Sequence, residues 1–248
     1  MLKPNLTMNS STPSWRGLYA ILDVPHAGGL APDEAARGLL GGVMEIGPKI
    51  LQLRAKRATG AERAELVGRL LPIVRAVEAS LIVDDDVAAG RLADGVHLGQ
   101  EDLADLADGR PWGEVLAELR RGSASGWLVG LSTHNREQVV ASAGLPVDYI
   151  GFGPILPTRS KANPDPCVGF DALRAVCEIS PHPVVAIGGL GAADALRCVE
   201  AGASGAAVIG ALVATTVAEV RERAAGLASA LRAASEARVG GRTRPAGR

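Results

Sequence analysis

Aromatic residues make up only 3% of this 248-residue chain: three Trp, two Tyr and two Phe. A core of stacked rings is excluded. Packing must come from Val, Ile, Leu and Ala, which dominate a hydrophobic share of 47%, as parallel strands buried on both faces prefer. Cysteine is also scarce. Cys167, Cys177 and Cys198 are odd in number and form no Cys-x-x-Cys spacing. That argues against a disulfide framework or a zinc knuckle and fits a reducing, cytoplasmic setting. Charge of one sign is lacking too. With 26 basic and 27 acidic residues the net charge is −1, so no general field favours nucleic acid or an anionic membrane. Apolar runs are short. The longest, around Gly205 to Ala218, is too short to span a bilayer and is rich in Gly and Ala. Met1 to Ser14 is polar, without the apolar centre of a signal peptide.

What the chain does have is glycine at the ends of β-branched runs. Val184-Val-Ala-Ile187 stops at Gly188-Gly189, and Gly205-Ala-Ala-Val-Ile-Gly210 stops at glycine again. Asp148-Tyr-Ile-Gly-Phe-Gly runs into Pro154-Ile-Leu-Pro-Thr-Arg-Ser-Lys161. Glycine lets a backbone approach an anion closely, and a following helix aims its first N–H groups at it. The last βα units of a (β/α)8 barrel hold phosphate in this way.

The rest of the chain supports that architecture. Strands are expected at Leu18–Leu22, Lys49–Arg54, Leu81–Val83, Gly95–Leu98, Trp127–Leu131, Tyr149–Ile150, Val184–Ile187 and Ala206–Ile209. Helices are expected between them, among them Pro32 to Ile46, Gly60 to Ala79, Phe170–Ile179, Ala192–Ala201 and Thr216–Ala234. Asp105 to Trp112 reads as an inserted loop and Glu114 to Arg121 as a helix, with the whole 103–126 stretch near the site. Ser132-Thr-His-Asn is expected to open the fifth helix, with Ser or Thr as its N-cap and His134 assisting. Eight strands alternating with helices make an α/β chain, a single (β/α)8 TIM barrel. The expected organisation is a disordered segment 1–15, a barrel 16–236 and an Arg/Gly-rich disordered tail 237–248.

In such a barrel the site lies at the C-terminal strand ends. Those ends carry Gln52, Arg54, Lys56, Asp84, Asp85, Asp86, His97, Asp102, Ser132, Thr158, Ser160, Lys161, Gly188, Gly189 and Gly210. Arg54, Lys56 and Lys161 suit phosphate oxygens. Asp85 and Asp102 suit Mg²⁺, which binds through one or two carboxylates plus substrate phosphates. Gln52 and Arg54 are two apart on a strand and share a face. Singly, each has an ordinary reading: a solvated strand edge, a helix N-terminus complementing the dipole, an interior histidine. Together, at one end of the barrel, they describe an enzyme that handles a Mg²⁺-bound pyrophosphate beside a second phosphate.

The motifs Gln52-Leu-Arg-Ala-Lys56, Ala93-Asp-Gly-Val-His-Leu-Gly-Gln-Glu-Asp102, Gly130-Leu-Ser-Thr-His134, Asp148-Tyr-Ile-Gly-Phe-Gly-Pro154 with Thr158-Arg-Ser-Lys161, and Ala186-Ile-Gly-Gly-Leu190 resemble the thiamine-phosphate synthase family over about residues 18 to 212. The resemblance implies a transferase of thiamine biosynthesis. It joins 4-amino-2-methyl-5-(diphosphooxymethyl)pyrimidine to hydroxyethylthiazole phosphate, or its carboxylated form, and releases pyrophosphate. It implies one Mg²⁺ per active site, on Asp85 and Asp102. Gln52, Leu53, Arg54, Ala55, Lys56, Asp84, Ser132 and Lys161 take the positions of the pyrimidine-diphosphate contacts. Thr158, Arg159, Ser160, Gly189, Ile209 and Gly210 take those of the thiazole-phosphate contacts. Arg54, Lys56, Ser132 and Lys161 fall on catalytic positions. The implied mechanism is dissociative, through a pyrimidine-methyl cation. The implied partners are these two small molecules, with no nucleic acid or membrane, and a homo-oligomer is left open. Three positions depart from the family pattern: Asp84 stands for Asn, Ser160 for Thr and Gly210 for Ser. Two other readings compete: a thiazole tautomerase-like isomerase, and a non-catalytic barrel that binds thiamine phosphates.

Overall fold

The computed structural model describes residues 17–26, 28–41, 50–160 and 165–242, the side chains of 239–242 excepted. Eight parallel strands close into one barrel in sequence order. They are β1 (Gly17–Asp23), β2 (Ile50–Arg54), β3 (Ser80–Asp84), β4 (Gly95–Leu98), β5 (Leu128–Thr133), β6 (Tyr149–Phe152), β7 (Val184–Ile187) and β8 (Gly205–Val208). The ring is sealed where Gly17 pairs with Gly205 and Leu18 with Ala206. Helices α1 (Pro32–Gly41), α2 (Gly60–Arg75), α3 (Val87–Gly90), α4 (Gln100–Ala107), α5 (Trp112–Arg121), α6 (Arg136–Ala141), α7 (Gly169–Ile179), α8 (Ala195–Ala201) and α9 (Val217–Arg242) follow the strands. Among the described residues no helix is long and apolar enough to cross a membrane.

Period-two alternation separates the two cores. Leu18, Ala20 and Leu22 of β1, Leu51 and Leu53 of β2, and Leu81 and Val83 of β3 join the layer between barrel and helices. Tyr19, Ile21, Ile50, Ile82, Leu128, Tyr149, Val185 and Ala207 fill the barrel interior. The one-residue offset places Gln52 and Arg54 in line with Ile50, and Asp84 in line with Ile82. Polar chemistry therefore sits directly above the interior apolar layer. A Thr59–Glu62 capping box starts α2, as its sequence favours.

Several expectations need correction. The stretch read as a loop from Asp105 is helical as far as Ala107. Leu103 and Ala107 face the core, four apart, and that burial outweighs the run of aspartates. The break is confined to residues 108–111, where Asp108 (φ 46°) and Gly109 (φ 79°) adopt left-handed conformations. Neither α5 nor that break lines the barrel mouth. Ser132 and Thr133 remain in β5, and Asn135 caps α6 by accepting from the Gln138 N–H at 2.9 Å. Helix α2 ends at Arg75, short of Ala79. The last helix passes the boundary read at 236 and reaches Arg242, and Arg238 Nη1 donates to the Val199 carbonyl at 2.7 Å. Residues 1–15, 42–46 of the first expected helix, and 243–248 lie outside the described residues.

Candidate active site at the mouth of the barrel

A cavity of about 800 Å³ opens at the C-terminal ends of the strands. The structure brings together in it Gln52, Arg54, Lys56, Asp84, Asp85, Asp102, Ser132, Thr158, Arg159, Ser160, Gly189, Ile209 and Gly210. Two expected contacts do not reach it. Leu53 is fully buried and Ala55 nearly so, both in the outer core, because they have the opposite parity on and beyond β2. Lys161 lies outside the described residues.

The side of the mouth built by β2–β5 is charged. Arg54 Nη1 lies 2.5 Å from Asp23 Oδ1, and its Nε lies 3.6 Å from Asp84 Oδ2. Lys56 Nζ is 3.6 Å from the same Asp84 oxygen and pairs closely with Asp85. Burial raises the Asp84 carboxyl above its ordinary pKa. Lys56 and Arg54 oppose that rise, and Asp102 adds to it. The carboxylate standing where the family has Asn thus lies between two cations, which limits the repulsion it would exert on an anion. Asp86 acts differently. It caps α3, accepting from the Ala89 N–H at 3.0 Å, and binds Arg63 Nε at 2.7 Å. Arg63 also donates to the carbonyls of Ala55 and Ala58, on either side of Lys56. This staple on the Lys56 loop carried no sequence signal beyond a helical arginine.

Asp85 and Asp102 fit a hard divalent cation by chemistry and by placement. A Cβ built on Gly99 would lie 2.5 Å from Asp102 Oδ2 and 4.0 Å from Asp85 Oδ1, so the two carboxylates flank one glycine beside the cavity. Asp85 is held at φ 60°, a left-handed conformation costing an aspartate roughly 1 kcal/mol. Its backbone is pinned there by its N–H donating to the His97 carbonyl at 2.8 Å and the Asp86 N–H donating to the Asp84 carbonyl at 2.8 Å. Lys56 occupies the Asp85 carboxylate as a cation would.

The side built by β6–β8 uses backbone instead. The segment after β6 lies along the end of β7: Ile155 N–H donates to the Ile187 carbonyl at 2.8 Å, and Leu156 N–H to the Gly188 carbonyl at 3.0 Å. Gly188 (φ 100°) and Gly189 (φ 68°) make this approach feasible. A Cβ would meet Pro154 Cβ at 2.5 Å in the first case and the Pro157 oxygen at 2.5 Å in the second. Thr158 Oγ1 accepts the Ser160 N–H at 3.2 Å and shapes the turn that presents Arg159. His134, expected near the α6 cap, binds the Gly153 carbonyl through Nδ1 at 2.7 Å and so holds the start of that segment. Beyond β8, Gly210 opens a single 3₁₀ turn, Gly210–Leu212, at the cavity wall.

Below both sides lie two tyrosines to which the motifs assign no role. Tyr19 and Tyr149 meet inside the barrel, their hydroxyls 2.7 Å apart. His97 Nδ1 is 2.9 Å from the Tyr149 hydroxyl, and its Nε2 is 2.9 Å from Ser132 Oγ. The only signal for the tyrosines was parity: each alternates with outward-facing apolar neighbours.

A parallel barrel whose mouth sets cations and carboxylates on one side and close-packed, glycine-lined backbone on the other has the architecture of a (β/α)8 enzyme. The chain belongs to the thiamine monophosphate synthase family, whose model matches residues 27–212. It is 36% identical over 198 residues to the thiamine-phosphate synthase of Methanocella arvoryzae, covering 79% of this chain and 86% of the relative. It is 40% identical over 186 residues to that of Chlorobium phaeovibrioides, covering 74% and 81%. Among solved structures it resembles the thiamine phosphate pyrophosphorylase from Pyrococcus furiosus, with a TM-score of 0.71 and 28% identity. That match covers 89% of this chain and 98% of the other.

Proposed function

We propose that this enzyme joins a pyrimidine diphosphate to a hydroxyethylthiazole phosphate to give thiamine phosphate and pyrophosphate, or to its carboxylated form, in which case the carboxyl group also leaves as carbon dioxide. The observation that carries the reading is a charged wall and a glycine-lined wall sharing one cavity: Arg54, Lys56, Asp85 and Asp102 on one side, Thr158, Ser160, Gly189 and Gly210 on the other. A tautomerase acting on the thiazole phosphate alone would have no use for the first wall. The bond between the pyrimidine methylene and the diphosphate oxygen breaks, and its electron pair leaves with pyrophosphate. The thiazole nitrogen then supplies the pair for the new C–N bond. No protein nucleophile takes part, and among the described residues no Ser-His-Asp or Cys-His arrangement competes with this reading. Burial pushes the Cys177 and Cys198 thiols up to about 12, which keeps them unreactive.

Arg54 and Lys56 stabilise charge growing on the leaving group, an interaction stronger in the transition state than in the ground state. Lys161 joins them by family resemblance. Ser132 donates to a diphosphate oxygen. Asp85 and Asp102 would hold one Mg²⁺, which neutralises pyrophosphate oxygens when bound. Thr158, Ser160 and the N–H groups near Gly189 and Gly210 hold the thiazole phosphate. The proposal includes a cytoplasmic setting, consistent with three free cysteines, and leaves a homo-oligomer open.

The test is a coupled assay with both purified substrates, with and without Mg²⁺, detecting thiamine phosphate. Mg²⁺-dependent product is expected. Absence of product, with the thiazole phosphate still bound and isomerised, would replace this reading with the tautomerase. Lys161→Ala is expected to abolish turnover with an unchanged circular dichroism spectrum; turnover near wild type would remove Lys161 from the mechanism.

A further inference from the structure

Five side chains form one hydrogen-bonded line across the barrel interior. Gln52 Nε2 donates to the Tyr19 hydroxyl at 3.2 Å, Tyr19 and Tyr149 share 2.7 Å, Tyr149 and His97 Nδ1 share 2.9 Å, and His97 Nε2 and Ser132 Oγ share 2.9 Å. The barrel makes room for this line with glycine. A Cβ on Gly130 would stand 2.2 Å from Tyr149 Cζ and 2.4 Å from His97 Nδ1, and one on Gly151 3.3 Å from His97 Cε1. Burial drives both phenol pKa values upward, so both hydroxyls keep their hydrogens.

The hydrogens can run in either direction. A hydroxyl has one hydrogen to give, and a neutral imidazole gives through one nitrogen and accepts through the other. If Tyr19 gives to Tyr149 and Tyr149 gives to His97 Nδ1, His97 carries its hydrogen on Nε2 and gives it to Ser132. The Ser132 hydrogen then points away from the line, towards the cavity. In the opposite direction Tyr19 accepts from both Gln52 and Tyr149, and its own hydrogen finds no acceptor within the line. Ser132 then gives to His97 and shows the cavity only lone pairs, which an anion rejects. Leaving a buried donor unmet costs about 1–3 kcal/mol. The Gln52 end and an anion at the Ser132 end thus favour the same direction.

We propose that Tyr149 is a positioning residue: it fixes His97 as the Nε2-protonated tautomer and so turns the Ser132 hydroxyl into a donor aimed at an anionic diphosphate oxygen. The inference rests on the reading above that Ser132 faces the diphosphate. Gln52 and Tyr19 set the direction from the far end.

The test uses the full chain, labelled with ¹⁵N-histidine, with Mg²⁺ and inorganic pyrophosphate. His97 is expected to show a protonated Nε2 and an unprotonated Nδ1. In Tyr149→Phe this preference should weaken, and kcat should fall roughly tenfold, the size of one lost hydrogen bond, with KM for the thiazole phosphate unchanged. Tyr19→Phe leaves the Tyr149-to-His97 bond in place. It should keep the tautomer and lower kcat less than Tyr149→Phe does. In a Ser132→Ala background, Tyr149→Phe should cause little further loss, because its effect runs through that hydroxyl. A His97 protonated on Nδ1 with pyrophosphate bound would overturn the proposal. So would equal losses in the two Tyr→Phe variants, or full additivity with Ser132→Ala. If wild type makes no thiamine phosphate, the function fails, and the pyrophosphate-bound tautomer alone still decides the direction of the line.

Discussion

The two sides of the barrel mouth are built by different means, one from charged side chains and one from backbone. On β2 and β3 the interior column changes from apolar to charged within a strand, from Ile50 through Gln52 to Arg54 and from Ile82 to Asp84, and on β5 it passes from Leu128 to Ser132. On β7 and β8 the column stays apolar to the rim, Val185 to Ile187 and Ala207 to Ile209, and hands over to glycine. The charged side offers side chains already engaged with one another: Arg54 with Asp23 and Asp84, Lys56 with Asp84 and Asp85. On the proposed reading, an arriving diphosphate would exchange one set of ionic partners for another. The glycine side offers a surface fixed by close backbone contact, with few charges to rearrange. A leaving group that gains charge is served by the first kind of wall, and a phosphate that only anchors its substrate by the second.

The comparison breaks most sharply at Arg54. Arg54→Ala removes a cation from the leaving-group side and leaves Asp84 buried beside one cation fewer. We expect kcat to fall at least a hundredfold, the scale of losing one preorganised electrostatic contact, while thiazole phosphate still binds by calorimetry. Weakened thiazole binding in this variant would show that the two walls are not separate.

The glycine side should respond in the opposite way. At Gly189 any side chain meets the Pro157 oxygen at 2.5 Å and Leu156 Cβ at 2.8 Å with φ at 68°. Gly189→Val should displace the segment that carries Thr158 and Ser160. KM for the thiazole phosphate should then rise by roughly tenfold or more, on the scale of one or more lost hydrogen bonds. Pyrophosphate affinity should stay near wild type. Loss of both affinities together would show a general collapse of the mouth.

Asp84 sharpens the charged side further. Burial raises its carboxyl, chiefly by desolvation, against the pull of Lys56 and Arg54. The fold therefore favours the protonated form. That contribution is complete below the unfolded pKa and is lost as pH climbs through the raised folded value. Asp84→Asn removes this dependence. Relative to the variant, wild type should lose stability as pH rises from the acid range towards neutrality, read from urea midpoints across pH. Parallel curves for the two proteins would mean that Lys56 and Arg54 fully offset the burial. The variant should remain at least as active as wild type, since Asn brings no charge to the diphosphate.

Parts of this architecture could be read from the chain and parts could not, for physical reasons. Parity along β2 put Gln52 and Arg54 on the inner face, because a strand admits only two faces. The glycine pairs marked the strand ends. Motif position alone puts Leu53 and Ala55 at the site, yet the same parity sends their side chains outward. Asp105 disfavours a helix interior, while the burial of Leu103 and Ala107 that overrides it is a tertiary fact. A hydroxyl before a helix suggests a cap at Ser132, but β5 runs two residues further than its apolar run. The Tyr19–Tyr149 contact joins residues 130 apart, and no local pattern encodes it.

The smallest expected effect tests whether the glycine side has gone further towards backbone-only recognition than it needs to. At Gly210, where the family has Ser, a Cβ would meet nothing within 4 Å, and the backbone is not left-handed. Neither sterics nor strain therefore requires glycine here, in contrast to Gly188 and Gly189. Gly210→Ser should fold normally and add one hydroxyl at the cavity wall. One added hydrogen bond contributes about 0.5–1.5 kcal/mol net, so thiazole-phosphate affinity should improve severalfold, with pyrophosphate affinity and kcat little changed. If affinity does not move, the phosphate lies nearer Gly189 and Thr158 than the turn at Gly210. The glycine wall is then narrower than the cavity suggests.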